Sequence, residues 1–266
     1  MNHAIADALV ITRRQLLLLL RVPEVLIFST IQPVMFVLMF RYVFGGSITE
    51  GVPGGYVQFL MPGIFVQTVV FGLTGTAVGV AEDMAKGLID RYRSLPIARS
   101  ALVFGKTLGD SALNIVVLLV MGVTGYVVGW RPSSGLVKVS LAFLFLLLFG
   151  YALSWIGIYV GLSAKEARVV QNISFLAVFP LTFLSSAFAP TTGMPRALQY
   201  FAEWNPVTTM VAATRELFGF ENTFGATAGS FPSQHPLWMS FFYMFIITAI
   251  FAPLSVNKYK NTGKKK

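Results

Sequence analysis

Long stretches without a charged residue divide this 266-residue chain. The charge-free gaps run over residues 25–40, 51–81, 111–130, 139–164, 169–195 and 222–257. A helix needs about 20 apolar residues to cross the roughly 30 Å of bilayer hydrocarbon, and inside lipid the backbone must satisfy its own hydrogen bonds. The pattern predicts an all-α integral membrane protein, a single domain over residues 1–266, with six transmembrane helices at about 25–44, 57–81, 107–129, 138–162, 169–189 and 237–256.

A short charged stretch, residues 82–96, separates the second predicted span from the third. Apolar side chains recur there at helical spacing, at Met84, Leu88, Tyr92 and Leu95, while charged residues occupy the other faces. Pro96 ends the helix because a proline disfavours helical geometry at the residue before it. We predict an amphipathic helix outside the membrane; the alternative is a solvated loop that rests on lipid headgroups.

An amphipathic interfacial helix is predicted at residues 2–21, ahead of the first span. One side is apolar, and Arg13, Arg14 and Arg21 lie towards the headgroups. The Arg13-Arg14 pair superficially resembles a twin-arginine export signal, but the apolar run Leu16–Leu20 has only five residues. We therefore treat this helix as part of the mature protein.

The segment 190–236, between the fifth and sixth spans, is too apolar and too regular for a passive loop. Asn205 is a good helix cap, Pro206 suits the first helical position, and Gly219 suits the end. Helices are predicted within residues 195–220. They form a re-entrant hairpin at the outer mouth, or a helix resting on the outer leaflet; the pattern favours neither.

Composition and charge sharpen this picture. Only 12% of residues are charged, against roughly 25% in soluble domains. The absence of cysteine excludes disulfides and thiolate metal sites. The net charge of +9 is distributed in a way that favours membrane lipids over nucleic acid as the partner.

The basic residues also predict the orientation. Six spans place both termini on one side, and with the N-terminus inside, 15 of the 20 lysines and arginines are cytoplasmic. The exceptions are Arg41, Arg131, Lys138, Arg196 and Arg215. By the positive-inside rule we predict cytoplasmic N- and C-termini and an inward-facing helix at 82–96.

The spans themselves carry few chemical signals. Their polar groups are interpreted as uncharged, and no pair of carboxylates marks an ion relay. Steps of small residues at Gly75 and Gly79, at Gly125 and Gly129, and at Gly157 and Gly161 are interpreted as helix-packing contacts.

No catalytic or metal-binding constellation stands out. Ser100 to Thr107 comes within one residue of a phosphate-binding loop, but Ser100 replaces its first glycine. Lys106 is expected to reach the inner interface instead. His3 and His235 lie outside any metal-ligand spacing. A transport pore without its own energy source must be driven by another protein. A rigid cytoplasmic helix is suited to transmitting force from an ATPase to such a pore.

Three stretches occur in an order that resembles a known family. They are LLLLLRVPE with FRYVFGGSI, the loop GLIDRYRSLPIARSALVFGK, and FLSSAFAPTTGMPRALQYFAEWNPVTTMVAATREL before the last span. The chain resembles the membrane subunit of type-2 ATP-binding-cassette exporters, particularly the daunorubicin-resistance-type permeases, over essentially its whole length.

The resemblance implies a non-enzymatic transport subunit in the plasma (inner) membrane. It pairs with a second permease subunit, identical or paralogous, and with two ATP-binding-cassette ATPase subunits. ATP and Mg²⁺ belong to those subunits, so this chain needs no cofactor or metal of its own. The implied cargo is a hydrophobic or amphipathic drug, lipid or glycan-lipid moved outward.

The resemblance also assigns residues to three roles. Coupling to the ATPase falls to Glu82, Asp83, Lys86, Asp90, Arg91, Arg93, Ser94, Leu95 and Pro96. The first, second and fifth spans line the substrate path, with candidates Gln32, Gln67, Thr68, Gln171 and Asn172. The outer gate is expected at Asn205, Pro206, Arg215 and Glu216.

Two other classes of function compete with the ATP-driven exporter. One is a self-sufficient secondary carrier driven by an ion gradient. The other is a membrane scaffold or an intramembrane enzyme, which the missing catalytic groups disfavour.

Overall fold

Helices make up all the regular structure of the residues described by the computed structural model, which are 10–13, 15–17, 21, 23–44, 55–88, 91, 99–164, 166–189, 191–220 and 230–261. The helices are α1 (Pro23–Met39), α2 (Tyr56–Ala85), α3 (Arg99–Val128), α4 (Leu136–Gly161), α5 (Ala167–Phe183), α6 (Arg196–Glu203), α7 (Pro206–Phe218), α8 (Phe231–Gln234) and α9 (Pro236–Asn261). A π-helical turn, Phe40–Phe44, continues α1, and a 3₁₀ turn, Thr191–Gly193, precedes α6. The predicted all-α class is confirmed.

Four of these helices are long and apolar enough to cross a membrane: α2, α3 over Val103–Val128, α4 and α9. They correspond to four of the six predicted spans. The other two predictions fall on α1 and α5, each of 17 residues. A 17-residue helix is about 26 Å long, and α1 gains length from its π-helical turn. The count of six stays a prediction.

Helix α2 is the centre of the bundle. It packs against α1, α3, α4, α5 and α7, and apolar residues from Tyr56 to Leu73 are buried around its circumference. A helix that is apolar all round is stable only when other helices surround it. The C-terminal half of α2 is different, since polar residues interrupt the apolar pattern there.

Glycines let α4 approach α2 closely. A Cβ at Gly157 would lie 2.7 Å from the Leu73 carbonyl oxygen, and one at Gly161 would meet the Ala77 carbonyl. The packing interpretation of this step is therefore confirmed. Gly125 also packs closely, against the Met61 side chain. Gly129 has a φ of 105° where α3 ends, and a Cβ built on it would meet none of the described residues within 4 Å.

The packing interpretation of Gly75 and Gly79 is wrong. Apart from the backbone of α2 itself, no atom of the described residues lies within 4 Å of a Cβ built on Gly75, and the nearest group to one on Gly79 is the Lys106 ammonium, at 3.3 Å. Both glycines line a cavity instead of a helix contact.

The end of α2 also differs from the predicted boundary. The helix continues to Ala85, so Glu82 and Asp83 belong to it rather than to a separate helix that begins at residue 82. Gly87, with a φ of 69°, breaks the helix because glycine alone adopts such a φ without strain. Helical geometry resumes at Leu88 and Arg91, where the Arg91 amide donates to the Gly87 carbonyl at 3.1 Å. Asp90, Arg93, Ser94, Leu95 and Pro96 lie outside the described residues.

Candidate functional site

A polar cavity of about 610 Å³ lies between α1, α2, α3 and α5. From α2 it takes residues between Gln67 and Asp83, and from α3 residues between Lys106 and Val117. The cavity therefore occupies the end of the bundle where α2 finishes and α3 begins. We call this the Lys106 end.

Four of the five predicted path residues line this cavity: Gln32, Gln67, Thr68 and Gln171. Gln67 is only 4% exposed, and the Thr68 hydroxyl donates to the Ile64 carbonyl at 2.7 Å. The fifth, Asn172, is exposed on α5 and is not part of the lining. The four residues come from three helices, so only the fold brings them together.

Charged residues gather at the Lys106 end of the cavity. The Lys106 ammonium forms an ion pair with Asp83 at 3.1 Å, which links α3 to α2. The Thr76 hydroxyl donates to the Asp110 carboxylate at 2.8 Å, a second link between the same helices. Lys106 thus lines the cavity, and our expectation that it reaches the inner interface stays a prediction.

Asp110 is the functional candidate that the sequence analysis missed. It lies within the predicted third span, so the interpretation of the span's polar groups as uncharged is wrong at this position. The available signal was spacing, because Lys106, Asp110 and Asn114 recur every four residues and share one face of α3. All three line the cavity.

The described part of the N-terminal helix packs against the start of α3. The Thr12 hydroxyl approaches the Gly105 carbonyl at 3.4 Å. A Cβ on Gly109 would lie 2.7 Å from the Gln15 Cβ, so only glycine leaves room for this contact. Gln15 also lines the cavity. The end of α2 and the described part of the N-terminal helix therefore meet the same two turns of α3.

At the opposite end of α2, Asn205 ties together two helices. Its side-chain oxygen accepts from the Val207 amide at 2.8 Å, which confirms its role as the cap of α7. Its amide nitrogen donates to the carbonyls of Leu181 at 2.7 Å and Leu184 at 2.9 Å. These carbonyls lie where α5 ends, so one residue satisfies backbone groups of both helices.

Arg215 is buried behind this contact, at 1% exposure. One guanidinium nitrogen donates to the carbonyls of Ser186 at 2.7 Å and Phe59 at 3.1 Å, and the group lies 3.8 Å from the Phe59 ring centre. Arg215 thereby joins α7, α2 and the non-helical residues after α5. We call this the Arg215 end.

The remaining gate candidates have different positions. Pro206 is the first residue of α7 and is half-buried, whereas Glu216 is exposed. Gly219, at a φ of 82°, ends α7 as expected. The hydroxyls of Ser133 and Ser134 donate to the carbonyls of Gly219 and Leu217, so the α3–α4 turn covers the end of this helix.

Helix α7 is enclosed by protein. It packs against α2, α4 and α9, and every residue from Val207 to Arg215 is buried. A helix resting on a bilayer surface would keep one face free. The enclosure favours the hairpin over the surface helix of the sequence analysis.

These features define a helical membrane protein with several apolar helices and a polar cavity between them. The family model for the ABC-2 type transporter matches residues 7–219, and the chain belongs to that family. It is 34% identical over 239 residues to the daunorubicin resistance ABC transporter permease protein DrrB1 of Streptomyces coeruleorubidus, covering 90% of this chain and 81% of that protein.

Two more distant relatives extend this similarity. The putative transport permease ycf38 of Cyanophora paradoxa is 27% identical over 80% of this chain and 74% of its own length. The probable doxorubicin resistance ABC transporter permease protein DrrC of Mycobacterium tuberculosis is 24% identical over 79% of this chain and 76% of its own length.

Proposed function

We propose that this chain is the permease subunit of an ATP-binding-cassette exporter, which moves a hydrophobic or amphipathic substrate outward with ATP hydrolysed by a separate subunit. The observation that carries the proposal is the polar cavity inside an otherwise apolar bundle, lined by residues of α1, α2, α3 and α5. Two of the relatives are a daunorubicin resistance permease and a probable doxorubicin resistance permease, which supports the same function.

The proposed subunit spans the inner membrane six times, with α1 and α5 as the two additional spans and both termini in the cytoplasm. The Lys106 end is then the inner end of the bundle, and the Arg215 end is the outer one. Asn205, Pro206, Arg215 and Glu216 belong to the outer gate.

A second permease subunit, identical or paralogous, covers the exposed faces of α1 and α5 in this proposal. Ile31 and Met35 on α1 and Leu176 on α5 are exposed. Gln171 and Asn172 are exposed on α5 beside such apolar residues. Polar groups at this depth are costly to leave in lipid, whereas a second subunit would give them hydrogen-bond partners and close the side of the cavity.

Two ATPase subunits dock on the cytoplasmic side, at residues 82–96 and at the N-terminal helix. The contacts at the Lys106 end support a route for force into the cavity. Asp83 connects the end of α2 to Lys106 of α3, and Gln15 of the N-terminal helix packs on Gly109, which also belongs to α3. A displacement of either docking element would act on α3 and on the cavity wall.

The test is the double variant Asp90→Ala, Arg91→Ala, with the partner ATPase co-expressed. We expect an inserted protein in which ATP hydrolysis is uncoupled from export in membrane vesicles. The matched control is Glu166→Ala, Arg168→Ala, which removes an exposed pair of opposite charges elsewhere. Export unchanged by the first variant at normal expression would overturn the coupling assignment.

Asp110 favours a second candidate function, because an intramembrane carboxylate also suits a carrier driven by an ion gradient. Such a carrier would sustain transport under an imposed proton gradient in liposomes that contain this chain without any ATPase. An exporter would show transport only with the ATPase and ATP.

A further inference from the structure

The Lys106 ammonium has two carboxylates near it, on two different helices. It forms an ion pair with Asp83 of α2 at 3.1 Å. Asp110 lies four residues further along α3, and side chains at this spacing are neighbours on one helix face. Both Lys106 and Asp83 act electrostatically on the Asp110 carboxylate. One ammonium therefore has one possible partner on the neighbouring helix and one on its own helix.

The wall of α2 leaves room for the ammonium between these two carboxylates. A Cβ built on Gly79 would lie 3.3 Å from the Lys106 ammonium, so the bare backbone of a glycine borders this group. One turn earlier in α2, the Thr76 hydroxyl donates to Asp110 at 2.8 Å. Gly79 and Thr76 are three residues apart, about 4.5 Å along the helix axis, and both line the cavity. The Asp110 carboxylate is thus fixed about one turn of α2 away from Gly79.

The ion pair between Lys106 and Asp83 is partly enclosed, with the two side chains 16% and 30% exposed. Separating an enclosed pair is costly when a charge is left without a partner. The cost is smaller when a second carboxylate takes up the ammonium. Asp110 would therefore let α2 and α3 separate at the Lys106 end while Lys106 stays paired.

On the basis of the proposed function, we infer that Lys106 is a positioning residue of the transport cycle, whose ammonium exchanges between Asp83 and Asp110. While it binds Asp83, it holds the end of α2 against α3. When the docked ATPase displaces the end of α2, the ammonium passes Gly79 and binds Asp110, and the two helices separate. Thr76 holds the Asp110 carboxylate in the position that receives the ammonium.

The first test measures the separation of the two helices directly. Nitroxide labels at Ala85→Cys and Leu108→Cys, both exposed and each two residues beyond one partner of the ion pair, report the distance between α2 and α3 by pulsed electron paramagnetic resonance. The sample is the complex with its ATPase in lipid nanodiscs. We expect ATP to lengthen this distance in the otherwise unchanged protein.

Asp110→Asn should keep the short distance in the presence of ATP, because the ammonium no longer has a second carboxylate to bind. It should also lower ATP-dependent export about tenfold, within the range typical of coupling between two sites. Glu166→Gln makes the same change of charge at an exposed residue outside the cavity and should behave as wild type. Lengthening by ATP in Asp110→Asn to the wild-type extent would overturn the inference.

The second test reverses the ion pair with Lys106→Asp, Asp83→Lys. A bridge with only a structural role would tolerate this change, since opposite charges still face each other across α2 and α3. Exchange is lost, because the carboxylate placed at position 106 repels Asp110. We expect an inserted complex whose ATP-dependent export falls about tenfold. Export at the wild-type rate would show that the bridge is structural and would overturn the inference.

The permease without its ATPase separates this inference from the proposed function. Asp83→Asn should lengthen the distance between the labels even there, because Asp110 is then the stronger partner of Lys106. That lengthening, in a protein whose wild-type form does not respond to ATP and its ATPase, would support the exchange and reject the exporter. ATP-driven export with no effect of Asp83→Asn or Asp110→Asn on the distance would reject the exchange and leave the exporter standing.

Discussion

The two ends of α2 differ in packing: the Arg215 end is closely packed, and the Lys106 end borders a cavity. At the Arg215 end, side chains of Asn205 and Arg215 satisfy backbone carbonyls of the neighbouring segments. A Cβ on Gly63 would overlap the Ala187 carbonyl. At the Lys106 end, no side chain of the described residues lies within 4 Å of a Cβ built on Gly75, and polar residues of α2 line the cavity.

Because of this difference, one half of α2 closes the bundle and the other half forms a cavity wall. The first half of α2 is apolar and enclosed, so the bundle is closed there. The second half carries polar residues on a cavity wall, so the bundle is hollow there. A permease that alternates between open ends requires such an asymmetry in any one state, and under the proposed orientation the hollow end is the inner one.

The largest effect is expected at the closed end, from Arg215→Ala. The change removes the donor to the Ser186 and Phe59 carbonyls and leaves a void, so we expect a loss of about 3 kcal/mol in unfolding free energy. Denaturant unfolding in detergent measures it. Arg196→Ala, at an exposed arginine on α6, is the control and should change little. Equal stability of the two variants would contradict a closed end held by Arg215.

A pair of glycine substitutions compares the two ends directly. Gly63→Ala forces a methyl group onto the Ala187 backbone, and we expect a loss of about 1–3 kcal/mol. Gly75→Ala places the same methyl group in open space and should be neutral or stabilising by up to about 1 kcal/mol, because alanine favours the helix. Thermal unfolding of both variants measures the difference. A larger loss of stability for Gly75→Ala than for Gly63→Ala would show that no open space lies beside Gly75.

Asn205 allows its two roles to be separated. Asn205→Ser keeps an oxygen that can cap α7 but loses the donors to Leu181 and Leu184, whereas Asn205→Ala loses both. We expect losses of about 1 and 2 kcal/mol respectively, measured by unfolding in detergent. Full stability of the serine variant would mean that the contact with the end of α5 contributes nothing.

The smallest effects concern the ion pairs near the Lys106 end. Lys86→Gln breaks an exposed pair with Glu82 and should change stability by less than about 0.5 kcal/mol. Asp83→Asn breaks the less exposed pair with Lys106 and should cost about 1 kcal/mol. Salt titration of the unfolding midpoint sharpens the contrast, since screening weakens exposed pairs more than enclosed ones.

Much of this architecture could be predicted from the sequence, because local chemistry determines it. Charge-free runs predicted α2, α3, α4 and α9, and Asn205 and Gly219 predicted both ends of α7. Four of the five substrate-path candidates, on three helices, line one cavity. These candidates followed from the family resemblance and not from local chemistry.

The features that escaped prediction depend on which helices become neighbours. Spacing does not tell whether a pair of glycines faces a helix, as Gly157 and Gly161 do, or a cavity, as Gly75 and Gly79 do. Asp110 was overlooked because one charge near the start of a span looks like part of its border. Arg215 gave no local sign of its partners, which lie 29 and 156 residues away in the chain.

The most direct test of the central claim, that the hollow end faces the cytoplasm, uses the absence of native cysteine. Gly75→Cys places a thiol in the cavity, and Thr209→Cys places one in the enclosed α7 as a control. A membrane-impermeant maleimide is applied to inside-out and right-side-out vesicles without nucleotide. We predict labelling of Gly75→Cys in inside-out vesicles only, and none of Thr209→Cys. Labelling of Gly75→Cys from the outside alone would contradict both the orientation and the proposed direction of access.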